Sequence, residues 1–400
     1  MNHARRFQQL TELLLEFQAL WRRRPFVQLP VPWEADYPAL SAAFRALTPE
    51  EILRFENHPT EIPAVRAAMP ELVETIERLT ASPKLCGSET ARRTHDAPKR
   101  VSARKWAQIE AFTAAAGTTL PSEVTRVVDW CAGKGHLARA VNRRWGLPVT
   151  CVEINPELCE TGRKETGIRG EAVDFVCLDA LSDTAATVLG PDTAATALHA
   201  CGELHVTLMR AAVARKVPYL AIAPCCYQRI DGMHYRPLSA AAEENPLPLS
   251  RHELRLPSLD EVKTGEPARA LRRKEHAFRL GVDLLHREAT GEDRYFPLGR
   301  LKPAWIKGTF ESFAQIVAAQ KSIPLPAHID WARAEQNGWD RFHTASALGL
   351  ARGLFRRALE SRLILDRVLF LESHGYTVTV GAFCPESVTP RNLLIIAERI

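Results

Sequence analysis

From about residue 102 the chain alternates short β-branched runs with stretches of helical periodicity, and no other feature constrains the fold as much. The runs are VTRVVDW (124–130), VTCVEI (149–154), DFVCLDA (174–180), ATALHA (195–200) and YLAIAPC (219–225). They recur about every 20 to 25 residues, which leaves room for one crossover helix between each pair. Strands connected this way lie parallel in a sheet covered on both faces. The repeat stops after Cys226. It resumes near the end, where a long helix over about 345–373 leads to YTVTVGAF (376–383) and NLLIIAER (392–399). Those two runs are joined by a short loop carrying Pro385 and Pro390 and no helix, so they form an antiparallel pair.

The rest of the chain has a different texture. Residues 1–81 carry apolar positions at helical spacing, with Leu10, Leu13, Leu14, Phe17 and Leu20 on one face of the first helix. Turn signals fall at Leu29–Pro32, Pro59 and Pro63. Residues 82–101 lack periodicity and read as a basic linker. The reading is therefore an N-terminal helical region (1–81), the linker (82–101) and the first part of an α/β domain (102–230). An insertion facing the substrate (231–340) and the closing helix and hairpin (341–400) follow. The insertion is rich in proline and charge and contains a helical piece, ALRRKEHAFRLGVDLLHRE.

Composition excludes several classes. With 46% apolar and 25% charged residues, the chain is neither disordered nor a coiled coil. No run approaches the roughly 18 apolar residues that cross a bilayer, and the first residues lack the pattern of a signal peptide. The expectation is a cytoplasmic protein without a membrane partner, its nine cysteines held as thiols. Its net charge is only +5. Between Lys84 and Lys105 the basic residues Lys84, Arg92, Arg93, Lys99, Arg100, Arg104 and Lys105 outnumber Glu89 and Asp96, and the local excess equals the charge of the whole chain. A second strip, Arg294, Tyr295, Phe296, Arg300, Lys302, Trp305, Lys307 and Phe310, interleaves bases and rings. It can stack nucleobases and hold phosphates, or be a solvated surface with a few buried anchors.

The strongest chemical signal is VVDWCAGKGHL, residues 127–137. A buried strand runs into small residues and then a helix. Gly133 and Gly135 permit a sharp turn and close backbone approach to a ligand at a helix N-terminus. Asp129, at the strand end, can accept from a cationic group. The next strand ends in Glu153, 24 residues on, close to the spacing at which an acid takes ribose hydroxyls. A third acid, Asp179, ends the third run. Three acids on three successive strand ends favour an adenosine ligand.

Residues 129–137, Glu153, LHACGEL (198–204) and PCCY (224–227) resemble a family of S-adenosylmethionine-dependent methyltransferases. It includes the ribosomal-RNA-adenine-dimethylase-domain-containing and glutathione-S-transferase-C-terminal-domain-containing proteins. The likeness covers about 101–230 and returns in SRLILDRVLFLESHG and SVTPRNLLIIAER. It implies an α/β, Rossmann-like class I methyltransferase fold, a seven-stranded sheet with a terminal antiparallel hairpin, and S-adenosyl-L-methionine as cofactor. By this resemblance Asp129, Cys131, Ala132, Gly133 and Gly135 line the methionine end, Glu153 the ribose and Asp179 the adenine, with Lys105 entering from the segment before the domain. The chain departs from the family pattern at Cys131, where a glycine is usual. It departs again at Ser102-Ala103-Arg104-Lys105 in place of Ser-Pro-Lys-Lys, and at Ala107-Gln108 in place of His-Glu.

The fourth and fifth strand ends carry the candidate catalytic residues His199, Cys201, Cys225, Cys226 and Tyr227. His199 or Tyr227 can orient the acceptor or take its proton. A thiolate at Cys201, Cys225 or Cys226 can instead attack a pyrimidine ring, or the cysteines are small buried residues at crowded strand ends. His199, Cys201, His205, Cys225 and Cys226 are also zinc-ligand types, but they lack the Cys-x2-Cys spacing that chelates well, and no metal is assigned. An Asn-Pro-Pro-Tyr box is absent, so dimethylation of an adenine amine is not expected. RNA is the first acceptor on account of the two basic stretches. A protein acceptor is the alternative, and a non-catalytic cofactor- and RNA-binding scaffold is kept open by Cys131. The sequence sets no oligomeric state.

Overall fold

The β-branched runs all become strands in the computed structural model, which describes residues 2–85, 98, 101–259 and 265–400. They are β1 (Arg126–Trp130), β2 (Val149–Glu153), β3 (Val173–Cys177), β4 (Thr193–Cys201) and β5 (Tyr219–Cys225), closed by β6 (Tyr376–Ala382) and β7 (Leu393–Arg399). The sheet order is β3-β2-β1-β4-β5-β7-β6. The first five strands run parallel, and β7 lies antiparallel between β5 and β6. This is the class I methyltransferase fold. Every residue of β5 is buried, as a strand covered on both faces requires. The order in which strands are added reverses between β1 and β4, which opens a crevice beyond their carboxyl ends.

Local chemistry sets the flanking helices. Ser102 caps the helix Ala103–Ala116 by accepting from the Lys105 N–H. Asn155 caps Pro156–Arg169 by accepting from Glu157 and Leu158, and Pro156 occupies the first helical position, where its missing N–H costs nothing. Phe112, Val127, Leu137, Val141, Phe175, Tyr219 and Phe383 share the core between these helices and the sheet.

Contacts divide the chain into two units: Met1–Leu13 with Leu79–Leu259 and Arg357–Ile400, and Leu14–Arg78 with Asp260–Arg356. This division differs from the five segments read in the sequence. Residues 231–259 belong with the sheet, and the rest of the expected insertion joins most of the N-terminal helices in a second, helical unit. That unit has its own core, built from Phe278, Val282, Leu285, Phe310, Phe313 and Val317 among others.

Other boundaries move for physical reasons. The expected helix over 345–373 is two helices, Trp331–Leu354 and Arg356–Glu372. Gly349 and Gly353 weaken its middle, and the Phe355 N–H closes a tight turn on Arg352 O at 3.2 Å. The first helix likewise ends at Glu16, before Phe17. The linker starts as structure: Ala382 N–H bonds Pro83 O, and Leu85 N–H bonds Ala382 O, extending the sheet edge at β6. Arg92, Arg93, Lys99 and Arg100 lie outside the described residues. In the strip from Arg294 to Phe310 several rings are engaged by other segments of the chain. Phe310 is buried, Phe296 stacks on His286 at 4.5 Å and Tyr295 meets Phe26 edge-on at 5.7 Å. These rings serve the helical unit. Among the described residues no helix is long and apolar enough to cross a membrane.

A buried carboxylate fixes the helix Arg356–Glu372 to the segment that follows β5. Asp366 accepts from the Ser239 hydroxyl (2.6 Å), the Ser239 N–H (2.8 Å), the Leu238 N–H (3.0 Å) and the Tyr235 hydroxyl (2.5 Å). Asp366→Ala strands several of these donors in the interior. It should cost about 3–5 kcal/mol in chemical denaturation, and a loss below about 1 kcal/mol would show that the segment is held by other contacts.

Candidate active site

The loop leaving β1 is built from left-handed residues. Cys131 (φ +63°), Gly133 (φ +60°) and Gly135 (φ +70°) turn the chain back and launch the helix His136–Trp145. A left-handed cysteine costs about 1–2 kcal/mol relative to glycine. Three hydrogen bonds hold the turn: Ala132 N–H to Val152 O (3.0 Å), Gly133 N–H to Glu153 Oε2 (2.9 Å) and Gly135 N–H to Ala132 O (2.9 Å). The Trp130 indole N–H donates to Leu204 O (3.0 Å), tying the loop to the helix after β4. A Cβ on Gly135 would sit 2.6 Å from the Phe175 ring, so glycine is needed there for packing as well as for φ. A Cβ on Gly133 would meet nothing within 4 Å, which leaves the backbone open to close approach.

Asp129 is only 2% exposed, and its Oδ2 has no hydrogen-bond partner. Burial raises its pKa to about 7, with the Ala138 N–H and the Lys105 charge opposing the rise. Glu153 is also buried, yet each of its oxygens takes one N–H, from Gly133 and from Asn155 (3.0 Å). Asp179 is exposed and lies two residues beyond the end of β3, in a turn where its Oδ1 accepts from Leu181 N–H. An adenosyl amino acid fits this donor set. An orphaned buried carboxylate awaits an ammonium group, open space flanks Gly133, and an acid ends the second strand.

The acceptor side is strained in a different way. His199 has φ +70°, where the pairing of β4 with β5 slips between Leu198 and Cys201. Gln108 donates to Val388 O (3.4 Å), which aims its Oε1 at His199 Nε2 (2.8 Å). The network therefore places the imidazole proton on Nε2 and leaves Nδ1 as the accepting nitrogen. Desolvation and the charges of Lys105, Arg391 and Arg104 lower the His199 pKa, so the ring is neutral at neutral pH.

Parallel pairing sets Cys201 opposite Cys225, with their sulfurs 3.4 Å apart. Cys226 turns back with φ +47°, and all three sulfurs lie within 4.8 Å of one another. Donation from Cys201 and Cys225, reinforced by Arg391 and Arg229, pulls the Cys226 thiol far below its ordinary range. Gly202 closes this corner, since a Cβ there would lie 1.9 Å from Arg229 O.

Two candidates leave the acceptor site. Tyr227 is 1% exposed, with the Arg367 guanidinium 5.2 Å from its ring centroid, so it cannot meet an acceptor at the surface. His205 is buried with both nitrogens engaged, Nδ1 by Ala200 O and Nε2 by Arg367, so it is spent as a metal ligand. Sequence reading missed the roles of Gln108, Arg229 and Arg391. Gln108 was within reach, because it sits one helical turn after Lys105 on the same face.

Residues 104–233 match the family model described as a methyltransferase domain. Over this stretch the chain is similar to a methyltransferase domain. Solved structures similar to the chain include the [4+2]-cyclase SpnF (20% identity, 41% of this chain and 59% of that one, TM-score 0.24). They also include the S-adenosylmethionine-dependent methyltransferase SibL in its apo form (20%, 48% and 52%, TM-score 0.24). A third is coclaurine N-methyltransferase bound to N-methylheliamine and S-adenosylhomocysteine (13%, 88% and 90%, TM-score 0.25). The chain thus spans little more than half the length of SpnF and SibL, and the fold assignment rests on strand order rather than on these likenesses.

The raised Asp129 pKa has two measurable consequences. Its folded value of about 7 stands above the ordinary 3.8, so its contribution to stability is complete below about pH 4 and lost as pH rises through 7. Ligand-free Asp129→Asn should therefore gain on the wild type across that window, by at most about 1.4 kcal/mol per pH unit. S-Adenosylhomocysteine affinity, measured by calorimetry, should rise with pH up to about 7 in the wild type as the carboxylate ionises to meet the ammonium group. It should be weaker and flat in the variant. A flat wild-type profile would separate Asp129 from the amine.

Proposed function

We propose that the chain transfers the methyl group of S-adenosylmethionine to RNA at the carboxyl edge of the sheet. The observation that carries the choice of acceptor is the set of cations around the acceptor-side residues: Arg104, Lys105 and Arg391 act on His199, and Arg229 and Arg391 act on Cys226. A chain with a net charge of only +5 gathers four bases at the one edge where an acceptor must lie. A phosphate backbone is the ligand such a patch holds.

When bound, the cofactor supplies an electrophilic methyl group on a sulfonium. The chain's own contribution is alignment and proton handling. The loop from Asp129 to Gly135 holds the methionine end, and Glu153 faces the ribose. His199, neutral and with Nε2 fixed by Gln108, offers Nδ1 to an acceptor oxygen or nitrogen that must lose its proton. Cys131, the residue that keeps the scaffold alternative open, replaces a glycine in left-handed geometry without breaking the bonds of the turn, which favours the enzyme.

Labelled methyl transfer into whole-cell RNA and protein fractions tests this reading. Label should be released by ribonuclease, and label released only by protease would make the acceptor a protein. Lys105→Ala and Arg391→Ala should each weaken RNA binding about equally across sequences and lower the salt slope by about 1. His199→Ala should reduce turnover by about 10²–10⁴-fold while cofactor affinity stays unchanged.

A further inference from the structure

We propose that Cys201, Cys225 and Cys226 form a three-thiolate site for Zn²⁺, with its fourth coordination position open toward the acceptor side. The inference is independent of the methyl-transfer reading, because it rests on the thiols alone. Adjacent cysteines and a His-x-Cys pair do not chelate along a continuous chain. The fold supplies what the spacing lacks. β4 and β5 are parallel neighbours in register at Cys201 and Cys225, which brings two sulfurs to 3.4 Å across the sheet. The third sulfur arrives because Cys226 adopts φ +47°, a conformation that costs a non-glycine residue about 1–2 kcal/mol. Backbone bonds from Gly202 N–H to Cys225 O (3.2 Å), Glu203 N–H to Arg229 O (2.8 Å) and Arg229 N–H to Cys226 O (2.9 Å) hold that turn.

The geometry suits zinc. Thiolates about 2.3 Å from a tetrahedral zinc lie about 3.8 Å apart, and these three sulfurs lie within 4.8 Å of one another. Less than one ångström of movement closes the triangle. Soft sulfur ligands select zinc over calcium or magnesium. Among the described residues these cysteines are the only group of three or more His, Cys, Asp or Glu side chains arranged this closely. His205 is spent, and His199 directs Nε2 at Gln108, so neither completes the set through those atoms. Three protein ligands and one open position is the pattern of a reactive rather than a structural zinc site. Cys225 is 3% exposed, while Cys201 and Cys226 are half-buried, so solvent reaches the open side. Binding releases the thiol protons to solvent and leaves one net negative charge, which Arg229 and Arg391 face.

The test uses the full chain, purified under reducing conditions and dialysed against a weak chelator. Elemental analysis should find about one zinc per chain. Co²⁺ added to the stripped protein should give an intense thiolate-to-cobalt charge-transfer band with tetrahedral visible bands. Added Zn²⁺ should bleach both. Cys226→Ser should weaken Zn²⁺ competition at least about tenfold, while Cys177→Ser, an exposed cysteine outside the cluster, should leave it unchanged. Far-UV circular dichroism checks that each variant is folded, and the wild-type cobalt spectrum decides the matter even if Cys226→Ser fails to fold. Substoichiometric zinc or a cobalt spectrum without the thiolate band would each overturn the proposal.

Discussion

The hydrogen bond from the Gly133 N–H to the Glu153 carboxylate, at 2.9 Å, joins the loop leaving β1 to the end of β2. The other carboxylate oxygen takes the N–H of Asn155, whose side chain in turn caps the helix Pro156–Arg169. One buried acid thus sets the distance between the two strand ends that an adenosyl ligand must span. It also lets the loop keep its left-handed path although Cys131 stands where glycine would be unstrained. With that path kept, Asp129 stays buried with an unpaired oxygen, and the backbone at Gly133 stays uncovered. A loop pinned in this way costs little further ordering when a ligand arrives.

Strain is distributed along the same edge. His199 and Cys226 both have positive φ, and Gly202, packed against Arg229, admits no side chain. Such conformations persist only where the surroundings over-determine them, and they cluster at functional sites. Here they aim an imidazole and a thiol out of the ends of β4 and β5, where regular strands would have sent them into the sheet faces. The edge combines a neutral base, a triangle of thiols and a collar of cations. The proposed polyanionic acceptor accounts for the cations, and the proposed metal for the thiols.

The seven strands were legible because β-branched runs at crossover spacing admit few other folds, and because a helix-free connection forces the closing pair antiparallel. The three acids proposed to hold the cofactor were legible for the same reason: each sits at or just past a strand end. The acceptor side was legible only as residue types. Nothing in the sequence says that Cys226 turns left-handed or that Cys201 and Cys225 share a register, since both depend on the pairing of distant strands. Tyr227 reads as an active-site residue by position, yet packing under Arg367 buries it. The rings from Tyr295 to Phe310 read as a binding strip, yet Phe310 is core and Tyr295 and Phe296 pack on Phe26 and His286 from other segments. Residues 14–78 and 260–356 gave no local sign that they share one unit.

The central claim is that the ends of β1 and β2 hold the cofactor with its sulfur facing the end of β4. A crystal structure of the chain with S-adenosylhomocysteine tests it directly. The account predicts the ligand's ammonium group within hydrogen-bond distance of Asp129 Oδ2, its ribose hydroxyls on Glu153, and its sulfur directed toward His199 and Cys201. A ligand seated elsewhere, or one that leaves Asp129 Oδ2 unpaired, would contradict it.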